Sequence, residues 1–346
     1  MSDFIIRRVV GYILTVFLFS SVFFYLLVIY WPQPEQNEPV KVVIEKGETL
    51  NDIASTLYDS GIIKGSEPFV LATRMMGYET DIKAGTFYLR NTSSNRTIIR
   101  QLVEGTPAYH KITIPEGSRL EEIADILKSE LDIDEEDFLE MCRSDKVVKN
   151  LDLPGPTLEG YLFPETYFFT EEMTAKEIIE QMTKQYRAIM NKETLDLAKE
   201  KGLSELELVT LASIIEGEAV LDDERTTISA VYHNRLNIGM KLQADPTLQF
   251  IHGDSPKRLS NKDKKIDSPY NTYLYKGLPP GPINSPGEAS IQAAVNPADV
   301  EYLFFVAKGD DSHVFSRTEK EHLKAKREFD KIRRQVSRER KKRGEG

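Results

Sequence analysis

Ser204-Glu205-Leu206-Glu207-Leu208-Val209-Thr210-Leu211-Ala212-Ser213-Ile214-Ile215-Glu216-Gly217-Glu218-Ala219 carries its own start signal. Ser204 can cap a helix, Glu207 stands three residues on as the reciprocal partner of a capping box, and Leu203 and Leu208 are spaced for a hydrophobic staple. Leu208, Ala212, Glu216 and Ala219 then recur at helical spacing, so one apolar stripe contains a carboxylate. Desolvation disfavours the charged form of such a group and raises its pKa toward the range where it can donate a proton near neutral pH. Glu216 is therefore a candidate general acid. The competing reading is a core-edge glutamate paired with an arginine or lysine from elsewhere in the chain.

Toward the N-terminus, residues 9–31 run without a charge, long enough for a helix to cross a bilayer core. Arg7 and Arg8 precede the run, and Tyr25, Tyr30 and Trp31 close it. This pattern predicts a retained single-pass anchor in the cell (inner) membrane rather than a cleaved signal peptide, with a cytoplasmic N-terminus and an extracytoplasmic remainder. Residues 32–40, polar and proline-rich, read as a stiff spacer lifting the later domains off the lipid. The roughly 310 residues after the anchor suffice for two domains or more.

A formal net charge of −10 argues against nucleic acid as partner. The basic run from Arg333 to Arg343 is confined to the C-terminal tail and reads as a solvated helix end. The single cysteine, Cys142, rules out an internal disulfide. His110, His233, His252, His313 and His322 show no ligand spacing, and no phosphate-binding glycine loop or nucleophile elbow occurs, so no metal or other cofactor is expected.

An internal repeat follows the spacer. Gly47, Leu50, Ile53, Ala54 and Leu57 have the spacing of Gly117, Leu120, Ile123, Ala124 and Leu127, and each set follows a short β-type run, 42–44 or 112–114. The first copy, through Gly47-Glu48-Thr49-Leu50, Ile53-Ala54 and Leu57, resembles a LysM-type module. In that family a small βααβ unit grips the N-acetylglucosamine-containing backbone of peptidoglycan or chitin; a packing unit that binds no sugar is the alternative. Farther on, helices are predicted near 175–191, 204–219, 222–236 and 320–338. Residues 158–167 read as strand or turn, because Pro164 and the aromatics around it break the helical period. Residues 242–286, rich in Pro, Asn, Asp and Gly, read as a long irregular functional loop.

Within that loop, Ser268-Pro269-Tyr270-Asn271-Thr272-Tyr273 and the block from Gly277 to Gly287 combine aromatic faces, amides, hydroxyls and proline-fixed backbone, a mixture suited to a sugar polymer. Adding Leu158-Glu159-Gly160, Pro164-Glu165-Thr166-Tyr167, Ala212-Ser213-Ile214-Ile215-Glu216, Asn234-Arg235-Leu236, Gln243 with Asp245-Pro246-Thr247, and His313 with Phe315, the chain resembles the membrane-anchored endolytic murein transglycosylase family. Two departures from the family pattern stand out: Glu165 where many relatives carry Asp, and Gly217 where relatives often carry a larger polar residue.

The resemblance implies an α+β chain with five parts: cytoplasmic tip and transmembrane helix (1–31), linker (32–40), small LysM-like α/β region holding the repeat (41–150), larger α+β catalytic domain (151–330) and basic tail (331–346). It also implies a lyase that cuts the β-1,4 bond between N-acetylmuramic acid and N-acetylglucosamine in nascent peptidoglycan strands. The products carry 1,6-anhydromuramic ends, elongation is terminated, and cell-wall synthases are candidate partners. The family's catalytic glutamate falls on Glu216. Tyr270, Asn271, Thr272 and Gln243 are the candidates for holding sugar, with Glu159 and Asp245 as orienting groups; for Asn271 and Asp245 the alternative is loop fixing. A single carboxyl can donate and then remove a proton. A lysozyme-type hydrolase that recruits Asp245, Glu159 or Glu218 as a second carboxylate is one competing class, and a non-catalytic wall-binding scaffold is another.

Overall fold

Two strand–turn–helix copies that look alike in sequence pack in different halves of the molecule. The computed structural model describes residues 2–33, 40–89, 94–105, 108–171, 173–253, 259–310, 312–329 and 331. Residues 34–39 of the expected spacer and nearly all of the basic tail lie outside the described residues. The chain divides into two compact units, Met1–Lys111 with Phe168–Met173, and Ile112–Tyr167 with Thr174–Gly346. The fold is α+β, with helices dominating and three two-stranded sheets among the described residues.

The first unit begins with α1 (Ser2–Ile29), whose stretch Arg7–Ile29 is long and apolar enough to cross a membrane. Its last turn does not stand free. Val28 and Ile29 are buried in the core of the unit, and the Asn95 amide donates to the Val28 carbonyl at 3.0 Å. Gln33 extends the seam: its Nε2 donates to Asn95 Oδ1 at 2.7 Å, and its Oε1 accepts from the Lys64 N–H at 2.8 Å. Next come β1 (Val40–Ile44), α2 (Leu50–Asp59), α3 (Ser66–Met76), β2 (Gly85–Leu89) and α4 (Asn95–Glu104), with β1 antiparallel to β2 and Val42 opposite Phe87. Alternation along β1 turns Val42 and Ile44 inward onto Leu50, Ile53, Ala54 and Leu57 of α2. The first repeat copy is thus an amphipathic helix on a ladder, held at its start by a Thr49–Asp52 capping box.

The second copy, grouped with the first in the sequence reading, packs within the second unit. After β3 (His110–Thr113), Gly117 takes the same left-handed turn as Gly47, and α5 (Leu120–Leu131) buries Leu120, Ile123, Ala124 and Leu127. There follow α6 (Glu135–Arg143), α7 (Asp145–Asn150), β4 (Thr166–Phe169), α8 (Ala175–Ile189), α9 (Lys192–Glu200), α10 (Glu205–Glu218), α11 (Arg225–Asn237), α12 (Asp245–His252), α13 (Glu288–Val295) and the hairpin β5 (Phe304–Ala307) with β6 (His313–Ser316). A final helical run covers 319–329.

Helix α10 departs from the expected single apolar stripe. Every residue from Leu208 to Ile215 is buried, with α9, α11, α12 and α13 around it, so it is the central post of the unit rather than a face on its edge. The Ser204–Glu207 capping box forms as its sequence predicts. Three boundaries differ from expectation. The predicted helix near 175–191 ends at Ile189, and Asn191 caps a further helix, α9. The helix expected from 222 begins as a short 3-10 turn, Asp222–Glu224. The stretch read as irregular, 242–286, contains α12, which starts at Asp245 with Pro246 in its first turn.

Candidate active site

The C-terminal half of α10 emerges from the core between two stitched loops of the second unit. Ser213 anchors one of them: its hydroxyl accepts from the Ile283 N–H at 3.1 Å, and its carbonyl accepts from the Asn284 amide at 3.0 Å. One turn on, the Gly287 N–H donates to Glu216 Oε2 at 3.0 Å. The other loop is the turn at Gly117, tied to Ser285 by two backbone bonds of 2.8 Å. Gly117 has φ +76°, and a Cβ there would lie 3.8 Å from Glu216 Cγ, so the turn passes directly over the glutamate.

Only 7% of the Glu216 side chain is exposed, and it has partners. Arg225 Nη1 lies 3.2 Å from the same Oε2 that Gly287 reaches, and the guanidinium is itself only 9% exposed. The sequence reading of a desolvated carboxyl on an apolar stripe therefore needs a correction. The carboxylate is paired with a cation from the next helix and with a backbone donor, the pairing that the competing sequence reading described. Arg225 also donates from Nε to Asp222 at 3.0 Å and from Nη1 to the Ser290 hydroxyl at 2.5 Å. Glu116 completes the group. Its carboxylate lies so close to Gly287 that a Cβ on that glycine would fall 2.0 Å from it, and its pKa is raised by partial burial and then by the charge of Glu216. The hairpin fixes this corner, because His313 donates its backbone N–H to Glu224 at 2.9 Å and brings Nδ1 to 2.7 Å from the same carboxylate.

Beside Glu216 opens a cleft of about 650 Å³, lined by residues that include Gly117, Arg119, Glu218, Asp245, Phe250 and Asn284. Glu218 accepts on Oε1 from the Tyr232 hydroxyl at 3.0 Å and from the Asp245 N–H at 3.2 Å. Burial, then the charge of Asp245, pushes its pKa up to about 7. Arg119 lies 4.9 Å over the Phe250 ring and donates to the Gly253 carbonyl, presenting a flat cationic and aromatic wall. Asn284 also lines the cleft, and its Oδ1 is buried with no hydrogen-bond partner among the described residues. Gly217 brings the cleft's two edges together: a Cβ on it would fall 2.7 Å from Pro246, so α10 and the first turn of α12 approach only because that side chain is missing.

The residues singled out from sequence divide between cleft and scaffold. Asp245 lines the cleft and accepts from the Tyr273 hydroxyl at 2.5 Å. Tyr270 packs its ring 4.8 Å from Phe250, just behind the lining. Glu159 is buried beneath, and burial, then the charge of Glu121, lifts its pKa to about 8. Asn271 and Thr272 are structural ties. The Asn271 amide donates to the Lys264 and Ile266 carbonyls and accepts from the Tyr273 N–H, and Thr272 bonds to the Ala244 N–H and Thr247. Gln243 is exposed with φ +50°, and its N–H donates to the Thr272 carbonyl. Glu116, Arg119, Arg225 and Tyr232 were not anticipated. Glu116 alone had a sequence signal, its place beside the repeated glycine turn.

Comparisons with known proteins cover most of the chain. The YceG-like family matches residues 42–328. A Bacillus subtilis protein named endolytic murein transglycosylase is 35% identical over 316 residues, 86% of each chain. A Streptococcus pneumoniae protein of the same name is 31% identical over 310 residues, 80% of this chain and 55% of that longer one. The crystal structure of a yceG-like protein from Listeria monocytogenes superimposes with a TM-score of 0.58 at 33% identity, covering 84% of this chain and 99% of that one. With its family match running from the first strand into the last described helix, the chain belongs to the YceG-like family.

Proposed function

We propose that this protein is an endolytic peptidoglycan lytic transglycosylase and that Glu216 is its acid and base. The observation that carries this reading is the placement of Glu216 among Glu116, Asp222 and Arg225 at the margin of an open cleft. Three carboxylates share one guanidinium at this corner, and burial followed by the charge of Glu216 raises the pKa of Glu116, which supports reading it as a place that handles a proton. Arg225 keeps Asp222 and Ser290 as partners when Glu216 is neutral, so protonating Glu216 does not orphan a buried cation.

In the proposed cycle, neutral Glu216 donates to the glycosidic oxygen of the β-1,4 bond between N-acetylmuramic acid and N-acetylglucosamine. As carboxylate, steadied by Arg225 and the Gly287 N–H, it then removes the proton from the muramic C6 hydroxyl, whose oxygen closes onto C1. The new strand end is a 1,6-anhydromuramic residue, and cutting inside a nascent strand would end its elongation. Asp245, Asn284, Arg119 and Phe250 are the proposed sugar contacts, with Glu159, Asn271 and Thr272 supporting them from behind. Anchoring through α1 in the cell membrane with the second unit on the outer side, sugar binding by the first repeat copy, and work alongside cell-wall synthases belong to the same proposal.

Glu218 beside Asp245 in the same cleft keeps a two-carboxylate, hydrolytic reading in play. Digestion of purified peptidoglycan by the full chain in detergent, wild type against Glu216→Gln, with the released ends identified by mass, separates the two. Anhydro ends, one water lighter than hydrolytic ends and absent with the variant, are expected; reducing ends alone would refute the transglycosylase reading.

A further inference from the structure

We propose that the groove between the C-terminal end of α1 and the α3–α4 pair of the first unit binds the phosphate of an anionic phospholipid headgroup. The proposal rests on α1 being a membrane span, and it is independent of the chemistry at Glu216. The groove has a volume of about 310 Å³, and its walls include Tyr25, Tyr30, Met75, Tyr78, Arg96 and Arg100. Its position follows from the seam already described. Because Val28 and Ile29 are buried against the unit, Arg96 and Arg100 sit at the level where the apolar run Arg7–Ile29 ends, which is headgroup depth for any bilayer that α1 crosses.

The chemistry of the walls selects an anion. No carboxylate is among the lining residues. Arg96 donates to the Tyr30 hydroxyl and lies 5.7 Å over that ring, which orients its guanidinium and leaves most of its N–H groups unused by these contacts. Arg100, one helical turn on, has a surface partner in Glu104 at 3.4 Å with both side chains about half exposed, a pair that a phosphate can outcompete. Two guanidiniums one turn apart match the bidentate geometry of phosphate oxygens. The surroundings fit the rest of a lipid. Leu71 and Met75, four apart on α3, are 38% and 37% exposed, and Tyr25 continues the apolar surface down the span, a path for an acyl chain rather than for a soluble ion.

The test uses the full chain in nanodiscs of phosphatidylcholine containing a minor share of phosphatidylglycerol, with retained lipids read by native mass spectrometry after mild detergent release. Wild type is expected to retain phosphatidylglycerol preferentially. Each arginine near an anionic headgroup contributes roughly fivefold, so Arg96→Gln with Arg100→Gln should reduce the preference by about 25- to 30-fold, and Arg100→Gln alone, at an exposed position, by about fivefold. Arg7→Gln with Arg8→Gln, at the other end of α1, should leave the preference intact, and millimolar inorganic phosphate should not displace the lipid. Peptidoglycan cleavage by the α4 variants should be unchanged. Undiminished preference in Arg100→Gln and the double variant, loss of preference on changing Arg7 and Arg8, or displacement by free phosphate would each overturn the proposal.

Discussion

Replacing Glu159 by Gln should make stability less dependent on pH, with a size that follows from the site. The residue is 6% exposed, one of its oxygens has no hydrogen-bond partner among the described residues, and burial pushes its pKa up to about 8 against an ordinary value of 4.5. Between those two values the folded chain holds a proton that the unfolded chain has released. Raising the pH through this window therefore favours unfolding, by about 1.4 kcal/mol per pH unit. Across the full window the loss is on the order of 5 kcal/mol; it is complete above pH 8 and absent below 4.5. Glutamine imitates the protonated carboxyl and cannot ionise. Urea unfolding of the detergent-solubilised full chain, followed by circular dichroism from pH 5 to pH 9, should show wild type losing several kcal/mol more than Glu159→Gln. Glu218 titrates in both proteins, so its contribution cancels in the difference. A difference that stays flat to within about 1 kcal/mol over that range would refute the assignment of a neutral buried acid at 159.

Gly217→Ala should destabilise. Its methyl would meet Pro246 at 2.7 Å, and an overpacking cost of about 1–3 kcal/mol exceeds the gain of about 1 kcal/mol in helix propensity. A urea midpoint equal to or above that of wild type would contradict the close approach of α10 and α12. Arg225→Gln removes the guanidinium that lies 3.2 Å from the Glu216 carboxylate, so release of anhydro ends from peptidoglycan should fall at least tenfold; undiminished release, read by mass, would contradict the role given to Arg225. Deleting residues 1–39 strips Val28 and Ile29 from the core of the first unit. At about 1.5–3 kcal/mol per buried side chain, melting of that unit should fall well below that of the full chain.

Local rules with local partners were readable. The Ser204–Glu207 box, the two glycine turns and the apolar face of each repeat helix all depend on residues within a few positions of one another, and all are found where the spacing puts them. Tertiary partners were not. Arg225 reaches Glu216 from a different helix, and nothing in the run from Leu221 to Arg225 marks which arginine will turn inward. The polarity of Asn271 and Thr272 suggested sugar contacts, yet hydroxyl and amide groups serve a loop's own backbone equally well, and both side chains are buried in such bonds. Asp245-Pro246 read as loop because proline ends helices. It also begins them, and a helix as short as α12 has too few turns to show a period.

Gln33 and Val40 both belong to the first unit, one held by Asn95 and Lys64 and the other in a strand opposite Leu89. Gln33 and Val40 are therefore two fixed points on a single body. The packing of Val28 and Ile29 makes the end of α1 part of the first unit, so only changes to that joint would alter how the long apolar helix is carried on this body.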